Sequence, residues 1–288
     1  MLTVIDLFAG AGGLSLGAAR AGFKIAAAVE QDKNAHDTHR KNFPSSEHSD
    51  ADVSSLRGDE LFSLAKIKRN TLDGLIGGPP CQGFSVIGKR QADDQRNELF
   101  FHFFRLVKET RPRFFVTENV PNILHSRYNS LRDRAYQEVL NGYAMLEPLA
   151  IKASDYGAPT IRSRVFFIGY DPKQFSRDLK RESFAPLEVE KIYVRQALYG
   201  LPFYISSDWQ TEESGWQPIV KNDSNHFFRR VSGHIPTGVG DEKSVERYLA
   251  KKEVSGCLGT RHDSKVVERY RSLGTSASPH PVILLLSL

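Results

Sequence analysis

Thr3-Val-Ile-Asp-Leu-Phe8, followed at once by Ala9-Gly-Ala-Gly-Gly13, is the stretch that decides the fold of this chain. The first part reads as a buried strand, and the glycines form a turn that enters a helix from about Leu14 to Ala21. A second strand, Ile25 to Val29, ends in Glu30, so the unit is βαβ with a carboxylate closing its second strand. Glycines let a ligand approach the backbone closely, and a carboxylate at that place can accept both hydroxyls of an adenosine ribose. The spacing is not the G-x-G-x-x-G of a dinucleotide site, and a strand-turn-helix whose glycines serve packing alone carries the same letters.

Downstream, Leu72 to Ile76 reads as a short buried strand whose ladder must end in Gly77-Gly-Pro-Pro-Cys-Gln-Gly-Phe-Ser85. Cys81 thus stands in a rigid, side-chain-poor loop at a strand's carboxyl end, the edge at which open α/β sheets bind ligands and present a nucleophile. The bland alternative is a structural cysteine in a tight turn. Arg113 to Thr117 is another clear strand, and Glu118-Asn119-Val120 lies just past its end, facing Cys81 across the same sheet edge. A glutamate directly after Phe-Phe-Val is costly to bury without a task, although a capping or salt-bridged surface residue is its alternative. Arg162 and Arg164 alternate just before a strand that runs to Tyr170, so both point to one face and suit an anion or a phosphate; a surface salt bridge is the competing reading. Arg96 to Val107 reads as a helix with an apolar face.

Composition sets bounds without choosing a function. A chain of 288 residues with 40% hydrophobic and 25% charged residues is an ordinary globular protein with ample core. Two cysteines, Cys81 and Cys257, and the absence of a cationic-then-apolar start predict a reducing, cytoplasmic setting without disulfides. Pro281 to Leu288, the longest apolar stretch, is far short of the roughly 20 residues that cross a bilayer, so no membrane partner is expected. Net charge is +5, with basic residues gathered at Lys66 to Arg69, Arg127 to Arg134, Arg177 to Arg181 and Arg229 to Arg230, which permits a polyanionic partner.

At Pro79-Pro-Cys-Gln-Gly-Phe-Ser85 the chain resembles the catalytic loop of the DNA cytosine-5 methyltransferases of bacterial restriction-modification systems. Four further segments match that family in the same order: Asp6 to Gly13, Ser49 to Val53, Glu118 to Val120, and Tyr156 to Tyr170. The match covers roughly residues 2 to 170. It implies an α/β, Rossmann-like, S-adenosylmethionine-dependent methyltransferase fold, with a mostly parallel sheet, helices on both faces and a smaller, incomplete recognition domain. It also implies roles. Cys81 is the nucleophile, Glu118 the acid at the cytosine ring edge, and Arg162 and Arg164 orienting cations, the second near cytosine oxygen 2. S-adenosyl-L-methionine is held by Phe8, Gly10, Gly12, Gly13, Leu14, Glu30, Gln31, Asp52, Val53, Pro80, Asn97 and Leu99, with no metal. Within that set Glu30 matches the ribose carboxylate and Asp52 the acid on the adenine amino group. Asp50 rivals Asp52, and a plain helix cap before Val53-Ser-Ser-Leu is the alternative to both. Thr160 stands where the family usually has glutamine, a departure that bears on packing or DNA contacts more than on chemistry.

The implied reaction moves a methyl group to carbon 5 of cytosine in a specific duplex sequence, through a covalent Cys81-cytosine intermediate on a flipped-out base, with Ser85 to Gln95 as the loop closing over it. A tRNA cytosine-5 methyltransferase of the same fold and a catalytically incomplete DNA-binding subunit are the alternatives. Residues 1–190 are expected to hold catalysis and cofactor, and 191–288 a partial target-recognition region whose approach is marked by Asn225-His226 and Arg229-Arg230. The family's closing Gly-Asn-Ala-Val-Pro-type segment has no counterpart here. A truncated chain, an altered reading frame, or a second polypeptide supplying that motif are the expectations that follow. Double-stranded DNA and a cognate restriction endonuclease are the other expected partners.

Overall fold

A computed structural model describes residues 1–80, 97–186, 189–220, 226–259 and 263–272. Cys81, the loop Ser85 to Gln95, Asn225 and the apolar end of the chain lie outside the described residues. The apolar run at the start forms β1 (Thr3–Leu7), and its neighbours follow as α1 (Gly13–Arg20), β2 (Lys24–Val29), α2 (Lys33–Asn42) and β3 (Glu47–Ser49). Next come α3 (Gly58–Ala65), β4 (Gly74–Gly77), α4 (Glu98–Thr110), β5 (Phe114–Asn119) and α5 (Asn129–Gln137). The sheet is completed by β6 (Ala144–Met145), β7 (Leu149–Lys152) and β8 (Ser163–Tyr170).

Strand order is β3-β2-β1-β4-β5-β8-β6, with β7 also paired to β8. The stretch from β3 to β5 is parallel, and β8 runs antiparallel to β5, β6 and β7. This is the expected α/β, mostly parallel architecture. Alternation along the strands sends residues to two cores. Ile5, Leu7, Leu75, Phe115 and Phe167 join the core filled by α3, α4 and α5, whereas Val4, Ile25 and Ile76 pack with Ala19 of α1 and Phe43, which caps α2. Helix α4 shows why it docks: Phe100, Phe103, Phe104 and Val107, at i, i+3, i+4 and i+7, are all fully buried. Each such phenylalanine contributes roughly 1.5–3 kcal/mol by leaving water, and Phe104 meets the Phe115 ring edge-on at 5.4 Å.

Boundaries moved where pairing or capping overrode local pattern. Strand β5 continues through Glu118 and Asn119 because β8 pairs with it that far, Glu118 opposite Phe166 and Asn119 opposite Val165, so Glu118 lies within the strand instead of beyond it. Arg164 likewise lies inside β8 and not ahead of it. Helix α4 runs on to Thr110, whose buried hydroxyl donates to Leu106 O at 2.7 Å, and stops where Arg111 turns left-handed before Pro112.

The chain divides into two compact units, Met1–Val194 with His234–Asp241, and Arg195–Gly233 with Glu242–Leu288. The segment His234–Asp241 thus returns to the first unit. That return rests on Val239, which packs on the Val4 core, and on Gly240 N–H donating to Asn42 O. Helix α6 (Val194–Ala197) begins at the boundary, and in the second unit α7 (His226–Ser232), α8 (Glu242–Lys251) and α9 (Ser264–Ser272) accompany the short pair β9 (Gln217–Pro218) and β10 (Glu253–Val254). Arg247 of α8 is its hub, stacked 4.4 Å over buried Trp216 and held by Glu213 and Glu253. Among the described residues no helix is long and apolar enough to cross a membrane.

Candidate active site

Strand β1 lies between β2 and β4, and the winding of the sheet reverses there, which opens a crevice at the carboxyl ends of the strands. A cavity of about 520 Å³ occupies it, lined by Phe8, Val29, Glu30, Gln31, Asp32, Ala51, Asp52, Val53, Gly78, Pro80 and Leu99. That volume suits a small organic ligand.

Phe8, which lines the cavity, leads into the glycine turn. Phe8 (φ 59°), Gly10 (φ 57°) and Gly12 (φ 100°) all take left-handed conformations, and a phenylalanine there is an uncommon, strained choice of the kind found at ligand sites. Gly12 admits no side chain, since a Cβ would sit 2.3 Å from Phe43 Cε2. Glu30 holds the turn in place: Gly10 N–H donates to its Oε2 and Asp32 N–H to its Oε1, both at 2.8 Å. A carboxylate offers about four lone-pair positions, so two remain for the hydroxyls of a ligand.

Beside the turn runs a buried polar chain. Ser15 Oγ donates to Asp6 Oδ2 at 2.6 Å and lies 3.1 Å from His39 Nε2, while His39 Nδ1 meets His48 Nε2 at 2.9 Å. Burial raises Asp6 to about 7 and lowers His39 to about 4, the neighbouring His48 and His36 adding to the second shift. This network joins β1, α1, α2 and β3 beside the turn. The charged residue inside an apolar strand, Asp6, was its only signal in the sequence.

On the β4 and β5 side, beyond the lining residue Gly78, lie Glu118 and Arg164. Glu118 Oε1 accepts from Arg164 Nε at 2.6 Å. Burial nonetheless pushes the Glu118 carboxyl above its ordinary value, against the pull of Arg164 and Arg162. Gly78 lies beside it, a Cβ on that glycine falling 3.5 Å from Glu118 Oε2. Asn119 Nδ2 donates to Pro79 O at 3.3 Å and its Oδ1 accepts from Val120 N–H at 2.9 Å, so the end of β5 anchors the Pro79-Pro80 approach to Cys81.

Of the sequence-derived cofactor set, the cavity gathers Phe8, Glu30, Gln31, Asp52, Val53, Pro80 and Leu99, and Gly10 joins through Glu30. Gly12, Gly13, Leu14 and Asn97 are not among the lining residues; the first three shape the turn into α1, and Asn97 is buried just ahead of α4. Asp52 faces the cavity, and its Oδ1 accepts from Ser54 N–H at 2.8 Å in a turn, while the next helix, α3, begins only at Gly58; Asp50 is not a lining residue. Arg162 is exposed and contributes to the field at Glu118. Sequence reasoning missed Val29, Asp32, Ala51 and Gly78, each adjacent to or two positions from a residue it named.

The family model described as C-5 cytosine-specific DNA methylase matches residues 2–253. The type II methyltransferase M1.HphI of Haemophilus parahaemolyticus is 45% identical over 175 residues, covering 58% of this chain and 45% of that protein. The type II methyltransferase M.DdeI of Desulfomicrobium norvegicum is 39% identical over 262 residues, covering 87% and 61%. The chain therefore spans about half the length of these curated relatives. Among solved structures, a prophage-encoded E. coli protein described as a candidate DNA modification methyltransferase superposes with a TM-score of 0.83 at 47% identity, over 94% of this chain and 75% of that one. With the fold and a family model that matches most of its length in agreement, the chain belongs to the C-5 cytosine-specific DNA methylase family.

Proposed function

We propose that this protein transfers a methyl group from S-adenosyl-L-methionine to carbon 5 of a cytosine flipped out of a specific duplex DNA sequence. The observation that carries the reading is the meeting of two sites at one sheet edge. A cavity fit for an adenosine-bearing ligand opens beside Gly78 and Pro80, and the acid Glu118 flanks Gly78 with Asn119 anchoring Pro79. The residues fit the cofactor: Glu30 has acceptors for ribose hydroxyls, Asp52 for an amino group, and Phe8, Val53 and Leu99 are apolar walls. The cofactor supplies an electrophilic methyl group.

Carbon 5 of cytosine is a poor nucleophile until a group adds to carbon 6. In this reading the Cys81 thiolate forms that bond, and Glu118, held protonated more readily by burial, gives its proton to ring nitrogen 3. Electron density would reach carbon 5, which could then take the methyl group as its bond to the cofactor sulfur breaks; loss of the carbon 5 proton to water and return of the nitrogen 3 proton to Glu118 would expel the thiolate and restore the ring. Arg164 fixes the Glu118 carboxyl, and with Arg162 orients the base. Arg229 and Arg230 on α7 are assigned to phosphate contacts.

The family model and the type II relatives favour duplex DNA over tRNA as substrate. A cognate restriction endonuclease, and a second polypeptide bearing the Gly-Asn-Ala-Val-Pro-type segment, are the proposed protein partners. Incubating the purified chain with tritiated S-adenosylmethionine and duplex DNA tests the reading, with and without that segment added in trans. Label in 5-methylcytosine is expected; label entering tRNA instead, or neither substrate under both conditions, contradicts it.

A further inference from the structure

Helix α4 reaches both walls of the cavity. Leu99, in its first turn, lines the cavity directly, while Arg105 extends to the segment that carries Asp52 and Val53. Arg105 Nη2 donates to Val53 O at 3.1 Å and Leu56 O at 2.8 Å, and lies 3.4 Å from Ser54 O. Its Nη1 donates to Glu109 Oε1 at 2.7 Å and its Nε to His102 Nδ1 at 3.1 Å. Glu109, one turn on, accepts from Gly58 N–H with its other oxygen at 2.7 Å. One arginine-glutamate pair therefore grips residues 53–58 at both ends, carbonyls at one and the start of α3 at the other.

We infer that Arg105 is a positioning residue for the adenine end of the cofactor, acting through the Asp52-Val53 wall. The inference rests on the cofactor reading of the cavity given above. The segment's own bonds, from Ser55 and Leu56 N–H to Asp52 O at 3.1 Å, fix its turn but not its distance from Leu99 across the cavity. Arg105 sets that distance, because α4 is locked into the sheet by its phenylalanines and the guanidinium is a rigid fork. Its donors point in fixed directions and serve several carbonyls at once, which an ammonium on a flexible stem does not reproduce. His102 supports the arrangement: burial and Arg105 lower its pKa, so its ring stays neutral and can accept.

The test compares S-adenosylmethionine binding by calorimetry in wild type, Arg105→Lys, Arg105→Gln, Asp52→Asn and the Arg105→Gln/Asp52→Asn double variant, with thermal melts of each without ligand. Arg105→Lys keeps charge and stem and serves if the glutamine variant does not fold. Either Arg105 variant is expected to weaken binding about 10-fold and to raise KM for S-adenosylmethionine, with kcat at saturation changed less than about 2-fold. The double variant is expected to bind within about 2-fold of Asp52→Asn alone, because both losses act through one contact. Wild type that binds while Arg105→Lys binds equally well overturns the inference alone, as does a double variant whose losses multiply. Wild type that binds no S-adenosylmethionine overturns the cavity reading and the inference together.

Discussion

Replacing Glu30 separates the structural clasp it makes on Gly10 and Asp32 from the ribose contact proposed for it. In Glu30→Ala the Gly10 and Asp32 N–H groups lose their 2.8 Å acceptor. The Asp32 bond is exposed and water can replace it, so the structural loss comes mainly from the half-buried Gly10 bond. A hydrogen bond to a charged group contributes about 1.5–3 kcal/mol. Taking the low end, about 1.5 kcal/mol, a unit of this size should melt about 3–6 °C lower. If the remaining lone pairs accept two ribose hydroxyls, the ligand loses two charge-assisted bonds in addition, or about 3 kcal/mol at the low end. That corresponds to roughly 100-fold weaker binding. Melts without ligand and calorimetric titration with S-adenosylmethionine read the two effects apart. A variant that melts lower yet binds within about 3-fold of wild type would show that Glu30 serves the backbone only, and would refute the assignment of the ribose to it.

Gly12→Ala is expected to be severely destabilised, by about 3 kcal/mol or more, since its φ of 100° and the 2.3 Å approach to Phe43 leave a methyl group nowhere to go; wild-type melting would contradict the turn geometry. Asp6 carries a pKa raised from 3.8 to about 7, so its folding contribution is full below 3.8 and disappears as pH rises through 7. Relative to Asp6→Asn, wild type should therefore lose on the order of 2–3 kcal/mol between pH 5 and pH 8, and a pH-independent difference measured by urea unfolding would refute the raised pKa. Arg164→Gln removes a cation that holds the Glu118 carboxyl down, so the pKa of Glu118 should move further up; its titration followed by carbon-detected NMR should show that direction, and a downward move would reverse the electrostatic account.

Legibility in the sequence followed the distance between partners. Strand β1, the glycine turn and Glu30 were plain because an apolar run, a turn and a strand end fall within a few tens of residues, and local pattern suffices there. The placing of Glu118 at the β5 edge was also legible, but its position inside the strand was not, because β8 pairs with it from far along the chain. The clasp of Arg105 on residues 53–56 spans |i−j| of 49 to 52 and left no periodic signature. On an amphipathic helix an arginine reads as a solvated face, and only the packing of α4 against α3 turned this one inward. The Asp6, Ser15, His39 and His48 chain has the same character: apart from Asp6 its residues are unremarkable alone, and the fold brings them together. The return of His234–Asp241 to the first unit rests on Val239 packing and on bonds of Gly238 and Gly240 to residues some 190 positions earlier, which no composition shift announces.

The central claim is that Cys81 forms a covalent bond to the target base. Its most direct test is denaturing gel and mass analysis of the protein incubated with S-adenosylmethionine and a long duplex carrying 5-fluorocytosine in place of cytosine, since fluorine at carbon 5 cannot leave as the proton does and traps the adduct. The account predicts a stable protein-DNA adduct mapped to the peptide containing Cys81, absent from Cys81→Ser. An adduct that persists in Cys81→Ser, or methylation of ordinary duplex DNA by that variant, would contradict it.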